Sequence, residues 1–178
     1  MSEQKRWQDR YQSECTPWDT GRPDNNLTSM VIQRPIRACK ALDIGCGTGT
    51  NALWLDQIGF TVTGIDLSEI AIQKAGEKAS EFGSKCAFVT ADFMNEAIRG
   101  APFDFAFDRG CFHSFDSAEE RRRFAENTAR HLGKEGLWLN LTGSADDPPR
   151  ETGPPRRSAS DIVTAVEPWF EILSLTAT

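Results

Sequence analysis

Three glycines spaced every second residue follow directly after a short apolar run. The segment 41–49 reads ALDIGCGTG and carries Gly45, Gly47 and Gly49 at its end. Glycine lets the backbone turn sharply and lets a ligand approach without a Cβ in the way. A helix after such a turn presents free N–H groups to that ligand. Because the next apolar run closes on an acidic residue, Asp66, the two features together predict a nucleotide-like cofactor site.

The elements that must position these residues alternate between strands and helices. Apolar runs bounded by turn residues predict six strands, at 38–45, 60–66, 86–92, 103–108, 136–142 and 170–177. Helical periodicity and capping residues predict helices at 50–58, 68–83, 117–133 and 160–167. Such alternation indicates an α/β fold with a mainly parallel sheet and helices on both faces. Ligands bind such sheets beyond the carboxyl ends of the strands, where the glycine turn and Asp66 fall.

Residues 1–37 precede the alternating pattern. The segment 16–23 is rich in turn formers, and a short apolar-periodic stretch follows at 27–36. We therefore predict an N-terminal arm and helix over residues 1–37 that cover the cofactor site, followed by one domain over 38–178.

Composition narrows the class of protein. A chain of 178 residues fits one domain, and its 20 basic and 26 acidic side chains give a net charge of −6, which disfavours a nucleic-acid partner. The five cysteines never occur as C-x-x-C, so neither a disulfide framework nor a zinc site is expected. No stretch approaches the roughly 18 apolar residues of a membrane span. These features predict a cytoplasmic protein that needs no metal.

The spacing around the glycine turn separates three candidate cofactors. A dinucleotide fingerprint is G-x-G-x-x-G, but here the third glycine comes one residue early and Thr50 stands in its place. A triphosphate loop requires a lysine after the glycines, and none follows. The G-x-G-x-G turn opened by the acidic Asp43 instead resembles the first motif of class I S-adenosylmethionine-dependent methyltransferases.

This resemblance covers residues 38–178 and implies a single Rossmann-like three-layer domain that binds S-adenosyl-L-methionine and releases S-adenosyl-L-homocysteine. It implies that the turn packs against the methionine part of the cofactor, that Asp66 accepts from both ribose hydroxyls, and that Leu67 flanks the adenine. It further implies that Asp92 and Phe93 bind the adenine and that Asp108 lies near the amino group. The cofactor-binding residues implied along the turn are Asp43, Gly45, Cys46, Gly47, Thr48 and Gly49.

Two further motifs indicate a closer kinship. Trp18-Asp19-x-Gly21 and Asp108-Arg109-Gly110 are similar to the thiopurine S-methyltransferase and tellurite-resistance methyltransferase branch. In that branch an aromatic front segment covers the cofactor and the arginine contacts it. The resemblance therefore implies that Tyr11, Trp18 and Arg109 also bind the cofactor.

Two histidines and one cysteine are the remaining candidates for chemistry. His113 follows the fourth strand, where the acceptor would meet the methyl group, and it is either a catalytic base or a histidine held by a hydrogen bond. Cys111 is expected to pack rather than to react, because methyl transfer from a sulfonium needs no covalent intermediate. His131 is expected at the surface near a helix end. Trp18, Phe112 and the Pro/Arg-rich segment 146–157 are predicted to form the lid and pocket wall.

The predicted function is direct in-line methyl transfer to a small-molecule acceptor, with a thiol or another soft nucleophile as the reacting group. Two alternatives stay open: a domain that binds the cofactor without turnover, and a nicotinamide-dependent oxidoreductase. The family usually inserts an antiparallel seventh strand between the fifth and sixth, and this sequence shows none. The missing strand predicts either a monomer or a weak homodimer formed through an open sheet edge.

Overall fold

A computed structural model describes residues 2–34, 36–148 and 153–177. Five parallel strands form one sheet in the order β3-β2-β1-β4-β5. The strands are β1 (Lys40–Ile44), β2 (Thr61–Asp66), β3 (Ala87–Thr90), β4 (Phe103–Arg109) and β5 (Leu132–Leu141). The parallel sheet confirms the predicted α/β fold.

Six α-helices and one short 3₁₀ turn accompany the sheet in the described residues. They are α1 (Glu3–Gln12), α2 (Asn25–Gln33), α3 (Thr50–Gln57), α4 (Glu69–Phe82), the 3₁₀ turn Phe112–Ser114, α5 (Ala118–His131) and α6 (Ala159–Val166). On one face of the sheet, residues of α2 and α3 pack with Ala41, Val62 and Phe105. On the other face, Phe124 of α5 and Ala165 of α6 pack with the opposite side chains of the same strands. The domain therefore has the three layers that the sequence predicts.

The strand order creates a crevice between β1 and β4. The chain runs outward from β1 to β3 and then returns to place β4 on the other side of β1, where Ile44 lies opposite Asp108. The connections after β1 and β4 consequently diverge at the carboxyl ends of these strands. Crevices of this kind are the usual ligand sites of open α/β sheets.

The helix ends follow the local sequence signals, with one exception. Ser68 caps α4, Gly83 ends it in the left-handed conformation, and Ser117 opens α5 with a capping box, as predicted. Gly133 does not close α5, because the helix already ends at His131 and the strand β5 starts at the next residue. Pairing of Leu132 with Phe103 draws this glycine into the sheet, with an irregular register along the way.

The predicted sixth strand at 170–177 is wrong: these residues have no regular secondary structure. A strand is held by the backbone of a neighbouring strand, and within the described residues the sheet ends at β5 without a further partner. Phe170 instead packs its ring 5.3 Å from that of Trp138, while Leu173 and Leu175 are exposed. An alternating apolar pattern without a partner strand thus stays irregular.

The N-terminal segment contains two helices rather than one. The polar helix α1 precedes the turn-rich segment 16–23, and α2 ends at Gln33. Among the described helices, none combines the length and the hydropathy that crossing a bilayer requires.

Candidate active site

A cleft of about 1980 Å³ opens at the carboxyl ends of the strands. Thirteen of the fifteen residues predicted for the site line it: Tyr11, Trp18, Asp43, Gly45, Cys46, Gly47, Thr48, Asp66, Leu67, Asp92, Phe93, Arg109 and His113. The other two, Gly49 and Asp108, lie behind its wall. The structure therefore brings residues from the arm and from the ends of four strands to one place.

Asp66 is bonded directly to the glycine turn. The Gly47 N–H donates to Oδ2 of Asp66 at 2.9 Å, and the Ser68 N–H donates to Oδ1 at 2.9 Å. Burial raises the pKa of Asp66, whereas the N–H groups of Ser68, Gly47 and Leu67 lower it. Each carboxylate oxygen can accept a second hydrogen bond, so Asp66 retains acceptor capacity for ligand hydroxyls. The turn and the carboxylate thus face each other, as a shared ligand requires.

Gly49 supports the turn from inside the protein. It has a φ of +79°, and a Cβ built on it would lie 2.7 Å from Cζ of Phe88 and 3.0 Å from Cβ of Ala75. The glycine therefore allows helix α3 to start close against its neighbours β3 and α4. This packing explains why Gly49 does not reach the cleft.

Asp108 organises the turn after β4. Its side chain is fully buried and accepts from the N–H groups of Cys111 and Phe112, each at 2.9 Å, and from the Asn140 side-chain amide. Burial raises the pKa of Asp108 to about 6, although these donors favour its ionised form. Contact of Asp108 with the cofactor stays a prediction, because its bonds hold the protein chain.

Asp43 is the buried acid with the fewest partners. Burial, reinforced by the negative charges of Asp108 and Asp66, raises the pKa of Asp43 to about 8, and the backbone of Ala52 donates to it. Its Oδ2 has no hydrogen-bond partner in the described part of the chain. A buried polar atom without a partner is costly, and a cationic ligand would stabilise three neighbouring carboxylates at once. The residues present therefore fit a cofactor that combines positive charge with ribose hydroxyls.

The N-terminal arm covers the turn with aromatic side chains. The Tyr11 hydroxyl lies above Gly47, where an added Cβ would be only 2.7 Å away. Trp18 Nε1 donates to this hydroxyl at 3.3 Å, and the Trp7 ring packs edge-on to Trp18 with centroids 5.6 Å apart. Burial, followed by the charge of Asp66, raises the pKa of Tyr11. The hydroxyl is thus a neutral donor or acceptor at the cleft.

Arg109 forms hydrogen bonds that hold the N-terminal arm in place. Its Nε donates to Oδ2 of Asp24 at 2.6 Å, and its Nη1 donates to the Trp18 carbonyl at 3.1 Å. On the other side of the turn, Thr48 donates to Oδ2 of Asp19 at 2.7 Å. Arg109 therefore lines the cleft while its bonds go to the arm, and its contact with the cofactor stays a prediction.

Several residues of this arrangement were missed by the sequence interpretation. Asp19 belongs to the Trp18-Asp19 motif, so the motif contained the signal. Gln8, whose side-chain oxygen accepts from Ser68 at 2.9 Å, and Lys78, which donates to Thr48 at 2.6 Å, lie on separate helices. No local pattern marks such residues, because their partners are distant in the sequence.

Asp92 and Phe93 stand at the end of β3. Asp92 accepts from the Met94 N–H at 2.9 Å and from the Asn95 amide at 2.6 Å. The Phe93 ring packs into the core, with its centroid 5.1 Å from that of Phe124. Both residues line the cleft, and their binding of adenine stays a prediction.

His113 is held by the backbone of a distant segment. The Gly143 N–H donates to Nδ1 of His113 at 3.1 Å, so this nitrogen is an acceptor and the neutral ring carries its proton on Nε2. Such a ring has no free nitrogen to take a proton while this bond persists. The geometry favours the hydrogen-bonded role over the catalytic base.

Two of the remaining predictions have clear outcomes, and a third stays a prediction. Phe112 is not a pocket wall, because it is fully buried against Phe124 and Trp138; Phe115, three residues later, lines the cleft. His131 is not simply at the surface, since its Nε2 accepts from the Ile98 N–H at 3.0 Å. The segment 146–157 was predicted as a lid, and residues 149–152 of it lie outside the described residues.

Comparison with known proteins gives the class. Residues 41–136 match the family described as a methyltransferase domain, which is more than half of the chain. The chain belongs to this family. It is a class I S-adenosylmethionine-dependent methyltransferase, as the sequence predicted.

Three named relatives are similar over most of the chain. The chain is 27% identical over 173 residues to "Probable thiol methyltransferase 2" of Arabidopsis thaliana, covering 95% of this chain and 75% of the relative. It is 28% identical over 158 residues to the 2-heptyl-1-hydroxyquinolin-4(1H)-one methyltransferase of Mycobacteroides abscessus, covering 88% and 69%. Thiocyanate methyltransferase 1 of Brassica oleracea is 29% identical over 155 residues, with 86% and 67% covered.

Solved structures share the fold. The structure described as "Conversion of a Disulfide Bond into a Thioacetal Group during Echinomycin Biosynthesis" superposes with a TM-score of 0.73 at 28% identity, covering 84% of this chain and 68% of the other. TehB from Haemophilus influenzae has a TM-score of 0.68 at 23% identity, covering 80% and 49%, and shares the fold.

Proposed function

We propose that this protein transfers the methyl group of S-adenosylmethionine directly to a small-molecule acceptor, and that the reacting group is a thiol or another soft nucleophile. The named activities of the relatives, a thiol, a thiocyanate and a hydroxyquinolone methyltransferase, support a small acceptor. Two of these three names refer to sulfur acceptors.

The geometry that carries the proposal is the pair of acidic residues on either side of the glycine turn. Asp66 is bonded to Gly47 with acceptor capacity to spare, and Asp43 has a buried oxygen without a partner among the described residues. We infer that Asp66 accepts from the ribose hydroxyls in a charge-assisted fork and that Asp43 stabilises the positive charge of the methionine part. When bound, the cofactor supplies a methyl group activated by its sulfonium charge.

A soft nucleophile suits a cleft in which the His113 ring is held by a hydrogen bond instead of acting as a base. The Nδ1 of His113 is engaged by Gly143, so the acceptor has to arrive with a reactive lone pair. A thiol, with an ordinary pKa of about 8.5, is partly ionised near neutral pH and needs little help. Cys111 is no rival nucleophile, because burial and then the charge of Asp108 raise the pKa of its thiol.

Positioning supplies the rest of the catalysis in this proposal. The arm, with Tyr11 above the turn and Trp18 bonded to it, excludes water from the cofactor. Holding donor and acceptor at near-attack distance lowers the barrier without acid or base chemistry.

The test combines binding with turnover. Calorimetric titration with S-adenosylhomocysteine is expected to give binding at micromolar concentration. Incubation with S-adenosylmethionine and a panel of hydrogen sulfide, benzenethiol, thiocyanate, phenol and benzoate is then followed by mass spectrometry. We expect methylated sulfur products and little methylated phenol or benzoate. Binding without any product would favour the cofactor-binding module, and a folded protein that binds no S-adenosylhomocysteine would remove the proposal.

We further propose a cytoplasmic location and a monomer or weak homodimer. All five cysteines are free thiols in the structure, which supports a reducing compartment. Sedimentation across a range of protein concentrations tests the oligomeric state, and fractionation of cells tests the location.

A further inference from the structure

The cleft has a second side that the predicted cofactor residues do not occupy. Its wall comes from the segments after β4 and β5, where Phe115, Gly143 and Arg157 line the cleft. If the proposed function holds, the cofactor fills the side formed by β1, β2 and β3, and the acceptor enters on this second side. The following inference rests on that proposed function.

Arg157 joins the two segments that build this wall. Its backbone N–H donates to the Gly143 carbonyl at 2.8 Å, and its carbonyl accepts from the Ala145 N–H at 3.0 Å. Its guanidinium then crosses to the β4 side, where Nη2 donates to the Phe115 carbonyl at 2.8 Å and to the Asp116 carboxylate at 2.8 Å. One residue thus fixes the distance between the two segments.

Of the two hydrogen bonds from Nη2 of Arg157, the one to the Phe115 carbonyl contributes more to stability. The Arg157 side chain is 12% exposed, whereas that of Asp116 is 87% exposed, so the ion pair itself contributes little. A part-buried charged donor to a backbone carbonyl is stronger than a solvated ion pair. The same carbonyl also accepts from Arg121 at 3.0 Å, which approaches from outside the cleft.

The His113 bond reinforces the same connection. Gly143 donates its N–H to His113 and accepts from Arg157 through its carbonyl, so one glycine ties both segments together. We propose that Arg157 is a positioning residue that sets acceptor specificity by fixing the Phe115 wall of the cleft. Acceptors large enough to touch this wall depend on Arg157, and very small acceptors do not.

The experiment compares two thiols of different size in three variants. Arg157→Gln removes the charge and the fork, Arg157→Lys keeps the charge, and Arg130→Gln is the matched control. The Arg130 side chain is 68% exposed, pairs with Glu126 on α5 and does not line the cleft. KM and kcat are measured with benzenethiol and with hydrogen sulfide, and binding of S-adenosylhomocysteine is measured by calorimetry.

We expect Arg157→Gln to raise KM for benzenethiol about tenfold, the size expected when a charged hydrogen bond that holds a binding wall is lost. KM for hydrogen sulfide and binding of S-adenosylhomocysteine are expected to change by less than about twofold, as are all constants of Arg130→Gln. Arg157→Lys is expected to lie between the wild type and Arg157→Gln, which also provides a readout if the glutamine variant folds poorly.

The outcomes separate the two proposals. If the wild type is active and both Arg157 variants keep its ratio of KM for benzenethiol to KM for hydrogen sulfide, this inference alone is overturned. Equal losses with both thiols overturn it as well, because they indicate a general structural role. A wild type that binds S-adenosylhomocysteine and methylates none of hydrogen sulfide, benzenethiol and thiocyanate removes the proposed function, and this inference with it.

Discussion

The two sides of the cleft are built in different ways. On the cofactor side, Asp66 bonds to Gly47, 19 residues away within one strand-helix-strand unit, and to Ser68 beside it. On the acceptor side, Arg157 reaches Phe115 across 42 residues and His113 reaches Gly143 across 30. A site whose partners lie in one local unit leaves a motif in the sequence. A site assembled from distant segments depends on the fold and leaves none.

The packing under the glycine turn gives the largest expected effect. Gly49→Ala should destabilise the protein by about 3 kcal/mol, because it combines left-handed strain with overlap on Phe88. Gly83→Ala is the matched control: its φ of +62° is similar, and no atom lies within 4 Å of the added Cβ. It should cost about 1 kcal/mol. Urea denaturation measures both, and equal losses would show that close packing at Gly49 is unimportant.

Replacing the carboxylate that faces the turn should have the next largest effect. Asp66→Asn places an amide where Gly47 and Ser68 both donate, so at least one bond is lost. We expect binding of S-adenosylhomocysteine to weaken about 100-fold, as for the loss of charge-assisted hydrogen bonds. Asp9→Asn, on the exposed side of α1, should leave binding unchanged in the same calorimetric titration. If Asp66→Asn weakens binding of S-adenosylhomocysteine by less than about threefold, this carboxylate does not bind the cofactor.

The pH dependence of stability tests the buried acids. Because the folded pKa of Asp43 is raised to about 8, the folded chain holds a proton that the unfolded chain releases near pH 4. The resulting stability is complete below pH 4 and is lost as pH rises towards 8. Asp43→Asn should therefore reduce the fall in unfolding free energy between about pH 6 and about pH 7.5 by about 2 kcal/mol.

Asp104→Asn, at an exposed position of β4, serves as the control for this measurement and should keep the wild-type slope. Asp108, whose pKa is raised to about 6, leaves part of the slope in both variants. Parallel pH curves for the wild type and Asp43→Asn would contradict the assignment of the proton to Asp43.

The attachment of the arm should have the smallest effect. Arg109→Lys loses the fork that holds Asp24 and the Trp18 carbonyl, but the Arg109 side chain is 36% exposed. Binding of S-adenosylhomocysteine should weaken about threefold, consistent with a partly solvated ion pair. Arg99→Lys, at an exposed position, should change nothing, and a loss of 100-fold for Arg109→Lys would instead indicate direct contact with the cofactor.

The sequence predicted the parts of the fold that local signals specify. Alternating apolar runs gave five strands and their parallel arrangement, and the caps Ser68 and Ser117 gave the starts of α4 and α5. The sixth strand failed because the pattern at 170–177 says nothing about a neighbouring strand. Helix α1 was missed because its sequence is mostly polar and only Tyr11 is buried.

The same distinction holds within the site. The glycine turn and Asp66 were recognised together because both lie in one strand-helix-strand unit, which constrains their spacing in the sequence. His113 was predicted at the right place, but its bond to Gly143 arises only when β4 and β5 become neighbours in the sheet. Phe112 and Phe115 are both aromatic, and only the course of the turn after β4 decides which of them enters the core.

In the proposed function, the arm that crosses the glycine turn would also set the order of events in a catalytic cycle. We expect a spent cofactor bound beneath Tyr11 to leave only after Arg109 and Thr48 release their partners on the arm. We expect acceptor and methylated product to exchange on the opposite side without disturbing these bonds. Steady-state kinetics should therefore be ordered, with S-adenosylhomocysteine departing last and limiting turnover.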